Sequence, residues 1–274
     1  MTSRDYPPEA YHQQGEPENG VIRVVCSDWI GFSKFVNRAL INVPNAVFRG
    51  HADSRWKLIP TIGRAIEKLD LPGDESRVSF QRSMLITKHL DDFKYAIRGR
   101  RGPSPHPLQD DDDIWALGQH YGLATPLLDW TESPFVAAYF AFASEETVDT
   151  EYATVFALSR FLVDSKLSDL RAEGIDVSDE ARFVRPFVDD NARLINQRGM
   201  FTISGRELCL RDWVVSRFSG EGDGNPLIEV LIPRSERLLA LRSLNRMNIN
   251  ALTLFPDIYG ASEFCNKKLA DKLY

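Results

Sequence analysis

Arg49 is the first residue whose chemistry needs an explanation. It ends a β-branched and aromatic run, Ala46-Val47-Phe48, that follows a Pro44-Asn45 turn, and Gly50-His51 come directly after it. The run reads as a short buried strand. A guanidinium at the inner end of such a strand must meet an anion or water, because burying it alone is very costly. Two partners are open: a carboxylate of the chain itself, Asp53 or Asp129, or an anionic ligand gripped through bidentate bonds. Gly50 permits close backbone approach or a positive φ.

A second concentration of reactive side chains lies in "GQHYGLATPLLDWTESPFVAAYFAFASEE". The tract Asp110 to Asp113 reads as an N-cap with first-turn acids favoured by the helix dipole, and Gly122 stops the helix it starts. Ser133-Pro134 starts another, as N-cap and N1. Its residues 135 to 143 are apolar all round and so buried. Two helix ends and a short connector thus gather Gln119, His120, Tyr121, Asp129, Trp130, Thr131 and Ser133 around one turn. His120 either caps free carbonyls at a helix end or serves as an acid/base near neutral pH. Tyr121 packs in the core or stacks on a ring. Asp129, Thr131 and Ser133 form an Asx-turn and cap, or present a carboxylate to developing positive charge. Farther on, Gln197 either bonds backbone in an edge strand or positions a substrate.

The elements that must hold these residues follow from patterning. Residues 1 to 20 carry Pro7, Pro8, Pro17 and Gly20 with almost no apolar content, and read as a disordered tail before a single domain spanning 21 to 274. Strands are expected at 21–26, 46–48, 152–158, 226–233 and, as "ALTLF", at 251–255, with extended pieces at 58–60 and in the last part of "NQRGMFTIS". Helices are expected from a Ser27 or Asp28 cap to about Leu40, over 75–97, in a polar excursion at 161–181, in "ERLLALRSLNRM", and at the C-terminus. The breaker-rich "RGRRGPSPHP" reads as a surface loop. Trp56, Trp115 and Trp130 are assigned to the core. The order defines an α+β protein with a mixed, split sheet flanked by helices.

Composition narrows the class. The 274 residues, 43% hydrophobic and 26% charged, can build a large soluble core. A net charge of −6 argues against coating nucleic acid, which needs a dominant basic surface. The cysteines Cys26, Cys209 and Cys265 are far apart, as reduced cytosolic thiols are, and neither HExxH nor paired-His spacing suggests a metal. No run reaches membrane-spanning length, so a cytoplasmic protein with no membrane partner is expected.

The blocks "VFRGHADSRWKLIPTIGR", "WALGQHYGLATPLLDWTESPFVAAYFAF", "ARLINQRGMFTIS" and "NINALTLFPDIYG" resemble, in order, those of the FRG domain, over roughly residues 22 to 264. The family usually reads Pro-Thr-Arg before Leu-Leu-Asp-Trp-Thr; here the residues are Ala124-Thr125-Pro126. "VFRG", "DWTESPFVAAYFA" and "RLINQRGMF" also resemble the three blocks of ADP-ribosyltransferases. That resemblance implies an ADP-ribosyltransferase-like fold, NAD as substrate without a metal, and transfer of ADP-ribose to water or to a macromolecular acceptor, protein or nucleic acid. It implies that Arg49 and Gly50 contact the diphosphate, that Tyr121, Thr131 and Ser133 help hold the nucleotide, that His120 orients a ribose and that Gln197 orients the acceptor. The family's catalytic Glu falls near Gly199, so Asp129 is expected to supply the carboxylate, with Glu132 and Glu207 as substitutes. The context implied is a toxin or phage-defence effector. The alternative is a non-catalytic module that senses a nucleotide or phosphorylated ligand through Arg49.

Overall fold

The computed structural model describes residues 10–102, 107–143, 148–186, 197–205, 207–220 and 222–271. Eight strands, β1 (Tyr11–Gln13), β2 (Val21–Cys26), β3 (Ala46–His51), β4 (Leu127–Thr131), β5 (Tyr152–Ser159), β6 (Arg182–Val184), β7 (Gly199–Ile203) and β8 (Leu227–Pro233), form one sheet. Its order is β1-β2-β8-β5-β3-β4-β7-β6, with β2 parallel to β8 and every other pair antiparallel. The mixed sheet with flanking helices agrees with an α+β class. The split does not hold, because the sheet is continuous. Yet β3 meets β4 through the single pair Phe48↔Thr131, while β4 follows β7 from Leu127↔Ile203 to Thr131↔Gly199. A regular antiparallel ladder would go on to set Gly50 opposite Asp129. Instead the two strands part there and leave a wedge.

Alternation along the strands sends side chains into separate cores. On one face α1 (Trp29–Arg38) and α5 (Pro134–Ala143) pack with α8 (Arg237–Arg246) and the short α9 (Ala251–Leu254) over Phe48, Val155, Ala157 and Val230. Trp29, Phe32 and Phe142 are fully buried in that core, and the rings of Trp29 and Phe135 meet edge to face at 6.2 Å. Each such side chain contributes about 1.5–3 kcal/mol on burial. Asp28 caps α1 by accepting from the Gly31 N–H, and α5 begins at the expected Pro134 with Ser133 Oγ accepting from Val136. The opposite face carries α6 (Arg160–Ala172) and α7 (Leu210–Arg217) over Val47, Phe156, Leu158 and Leu227. Around β4, β6 and β7 a third core gathers Ile62 and Ile66 of α2 (Thr61–Glu67), Leu90 of α3 (Glu75–Ala96) and Trp115 of α4 (Asp111–His120). The last helix is α10 (Ile258–Asp271).

Several expectations are corrected. Residues 10–20 are not a structureless tail: β1 pairs with β2, and Tyr11 packs edge to face on Phe35 at 5.0 Å. Residues 1–9 lie outside the described residues, as do 103–106 of the surface loop. Residues 251–254 are helical rather than extended, because Asn250 and Thr253 make a reciprocal capping box and Pro256 follows. Residues 58–60 run without a ladder, and 127–131 form a strand rather than a turn. Trp115 and Trp130 are buried as expected, but Trp56 is 42% exposed.

Candidate functional site

The wedge between β3 and β4 opens into a cavity of about 430 Å³, within the range of small-molecule sites. Its polar side carries Arg49, Gln119, His120 and Asp129, and the ring side is built from Phe140, Phe201 and Phe255. On the polar side, donors converge on Asp129 from both sides. Thr125 Oγ1 donates to Gln119 Oε1, and Gln119 Nε2 donates to Asp129 Oδ1 at 2.7 Å. Arg49 Nη1 donates to the Asp129 carbonyl at 2.7 Å and lies 3.5 Å from its Oδ2. Arg49 Nε donates to His51 Nε2 at 3.0 Å, and His51 Nδ1 lies 3.2 Å from the Trp56 carbonyl. Since a carbonyl only accepts and Arg only donates, His51 must carry its proton on Nδ1 and stay neutral. Burial first, and then the Arg49 charge, push its pKa down to about 3.

The chain itself supplies an anion for Arg49. Its carboxylate partner is Asp129 and not Asp53, which instead pairs with Arg55 at 2.7 Å. The Arg49–Asp129 contact is long for a charge-assisted bond, and the two side chains are 20% and 63% exposed. Burial draws the Arg49 pKa below its usual value; Asp129 opposes that shift and Arg64 of α2 adds to it. Among the described residues, acceptors stand against Nη1 and Nε of Arg49 and none against Nη2.

The other expected residues divide. His120 and Gln197 line the cavity. Gln197, two residues before β7, donates from Nε2 to the Leu254 carbonyl at 3.2 Å, which ties the approach to β7 to α9. Thr131 lines the cavity too, but its Oγ1 donates to the Gln197 carbonyl at 2.6 Å and accepts from the Ser133 N–H at 3.2 Å. Ser133 acts as the α5 cap. Tyr121, 76% exposed, sits past the end of α4 against His120 and outside the cavity. Gly50 lines the cavity for a packing reason, since a Cβ there would lie 1.9 Å from the Ala137 carbonyl oxygen. Glycine is required because α5 crosses β3 in backbone contact. Among the described residues Asp129 is the cavity's one acid: Glu132 pairs with Arg185 at 3.4 Å and lines a different cavity, and Glu207 is exposed elsewhere. Gly199 begins β7 opposite Thr131.

Sequence reasoning passed over Gln119 as a positioning group and His51 as its counterpart behind Arg49. Gln119 stands one turn of α4 after Trp115, which fixes the helix in its core, so it faces the same side of the helix. The fully buried Thr125 fixes which way the Gln119 amide points. Cys26 and Cys209 are buried, and burial pushes Cys26 up to about 12, so neither is a ready nucleophile.

Fold and site together define a mixed-sheet α+β protein with a ligand-sized cavity where the sheet is least paired. Residues 44–150 match the model of the FRG domain. The span supplies every cavity residue except Gln197, Phe201 and Phe255. No curated protein and no solved structure gives a significant match to the chain. No helix among the described residues is long and apolar enough to cross a membrane.

Proposed function

We propose that the cavity binds NAD or a closely related nucleotide and breaks its nicotinamide glycosidic bond, passing ADP-ribose to water or to a macromolecular acceptor. The observation that carries this reading is Asp129: a carboxylate on the cavity wall, fixed on one oxygen by Gln119 and kept beside a guanidinium on the other. Breaking the C1′–N bond sends the electron pair onto the cationic nicotinamide ring and leaves positive charge on the ribose. A carboxylate already oriented toward that charge lowers the barrier without reorganising. The attacking water or acceptor then bonds to C1′ and loses a proton. Arg49 Nη2 takes a diphosphate oxygen, His120 orients a ribose hydroxyl, and Gln197 Oε1 orients the acceptor. The three rings give the bases an apolar wall.

The test is incubation of the pure protein with NAD while free nicotinamide is measured. Asp129→Asn keeps shape and hydrogen bonding but removes charge, so NAD still binds while turnover falls by about a hundredfold or more. An Asp129→Asn protein that turns over like the parent overturns the assignment. One observation favours a sensing module instead: Gly199 brings no side chain to the place where the resemblance expects an acid. NAD bound in calorimetry with no nicotinamide released decides for that second reading.

A further inference from the structure

A second cavity, of about 470 Å³, opens beside the first and shares Phe48 with it. It lies where the end of α1 and the turn after it meet the start of β3, the first turn of α5 and the start of α6. Its interior is apolar, formed by Val36, Leu40, Val47, Phe48 and Phe135, with Ile41 at the rim, 69% exposed. Two guanidinium groups, Arg160 and Arg185, and one carboxylate, Glu132, complete the lining, so it carries one net positive charge.

Arg160 is the unusual group. It stacks on the Phe183 ring with its guanidinium carbon 5.3 Å from the centroid, and its Nε is buried without any hydrogen-bond partner. Among the described residues no carboxylate pairs with it, whereas Arg185 already has Glu132 at 3.4 Å. A buried Nε left without an acceptor is unfavourable for the empty protein. A planar donor held against a ring at the edge of an apolar chamber is complementary to an anion carried on a hydrocarbon body. The first turn of α5 opens onto the same chamber through Pro134 and Phe135, and its dipole also favours negative charge.

We propose that this second cavity is a binding site for a small amphiphile with a carboxylate or phosphate head and an apolar body. The head pairs with Arg160, and the body displaces water from the Leu40, Val47 and Phe135 surface. This site is independent of the NAD reading: its cationic groups come from α6 and from the segment after β6, and neither they nor Glu132 line the first cavity.

The experiment titrates the full chain with decanoate, decyl phosphate and uncharged decanol, followed by calorimetry and by amide chemical shifts. Decanoate and decyl phosphate bind at one site, decanol at least about tenfold more weakly, and the tighter of the two anions identifies the head group. Arg160→Gln weakens both anions by about tenfold or more with an unchanged melting temperature, and Ile41→Asp, which sets a like charge at the rim without disturbing the core, weakens them too. Arg49→Ala leaves them bound. Decanol binding as tightly as decanoate, an Arg160→Gln protein with parental affinity, no saturable binding of either anion, or loss of binding in Arg49→Ala would each overturn the proposal.

Discussion

At the scale of single residues, the site depends on hydrogen bonds that converge on Asp129 and continue from Arg49 to His51, and its most informative member is His51. Its proton is fixed on Nδ1 by the Trp56 carbonyl and its Nε2 is occupied by Arg49, so a second proton has no place. With a folded pKa of about 3 against the ordinary histidine value of 6.5, the unfolded chain binds more protons between those limits. Stability from this residue is therefore complete above pH 6.5 and lost as pH falls toward 3, at up to about 1.4 kcal/mol per pH unit. Between pH 7 and pH 5 the parent loses about 2 kcal/mol more than His51→Gln, which has no such proton to gain; urea unfolding of the two proteins at both pH values measures the difference, and equal losses would show that His51 titrates normally. Arg49→Ala removes donors from both His51 and Asp129 and costs about 1–3 kcal/mol of stability, together with nucleotide binding. Arg49→Lys retains the charge yet cannot serve His51 and Asp129 at once, so denaturation and NAD titration place it near the alanine variant. Parental behaviour in the lysine variant would mean that charge alone matters. The two readings open for Arg49 from its sequence context, ion pair or ligand group, are compatible, because the Asp129 link uses one nitrogen of a group that carries three.

At the scale of elements, the N-terminal segment shows what a residue pattern hides. Its composition suggests disorder, but Asn19-Gly20 is a strong hairpin signal. Both residues have positive φ, 43° and 83°, and Glu18 and Val21 exchange backbone bonds across the turn. That turn folds Tyr11–Gln13 back onto β2 and delivers Tyr11 to the α1 core. Deleting residues 1–14 therefore lowers stability by about 1–3 kcal/mol and exposes the edge of β2; a melting temperature equal to the parent's would show that β1 adds nothing. The long α3, the capped α1 and the acid-led α4 were legible because helical periodicity and caps act locally. The strand β4 was not, since "LLDWT" follows Pro126 and carries Asp and Thr, and only pairing with β7 makes it a strand. The run "ALTLF" was too short for period alone to separate strand from helix, and the Asn250–Thr253 box decided it. Gly50 was legible as a point of close approach, but its partner is α5 rather than a ligand, which the sequence of β3 alone cannot reveal.

At the scale of the whole molecule, the sheet consists of two unequal parts held at one residue pair. The β5–β8 ladder runs unbroken from Tyr152↔Pro233 to Leu158↔Leu227, and β3 pairs with β5 along its whole length. The smaller part, β4-β7-β6, touches the larger at Phe48↔Thr131, through the Arg49–Asp129 link, and through helices packed across the seam. Few shared ladder bonds mean that the smaller part can open without unfolding the larger. Native-state hydrogen exchange is therefore expected to show β4, β6 and β7 opening at lower free energy than β5 and β8. The cavity is walled by both parts, with Arg49 on β3 and Asp129 on β4, so a ligand inside must bridge them. Saturation with NAD then slows exchange in β4 and β7 and leaves β5 and β8 unchanged, because binding to the closed state alone stabilises it by mass action. Arg49→Ala raises exchange in β4 and β7 before any ligand is added, since it cuts the Arg49–Asp129 link across the wedge. Uniform protection across all eight strands would show that the seam is no boundary, and NAD protection confined to β5 and β8 would place the nucleotide away from the wedge.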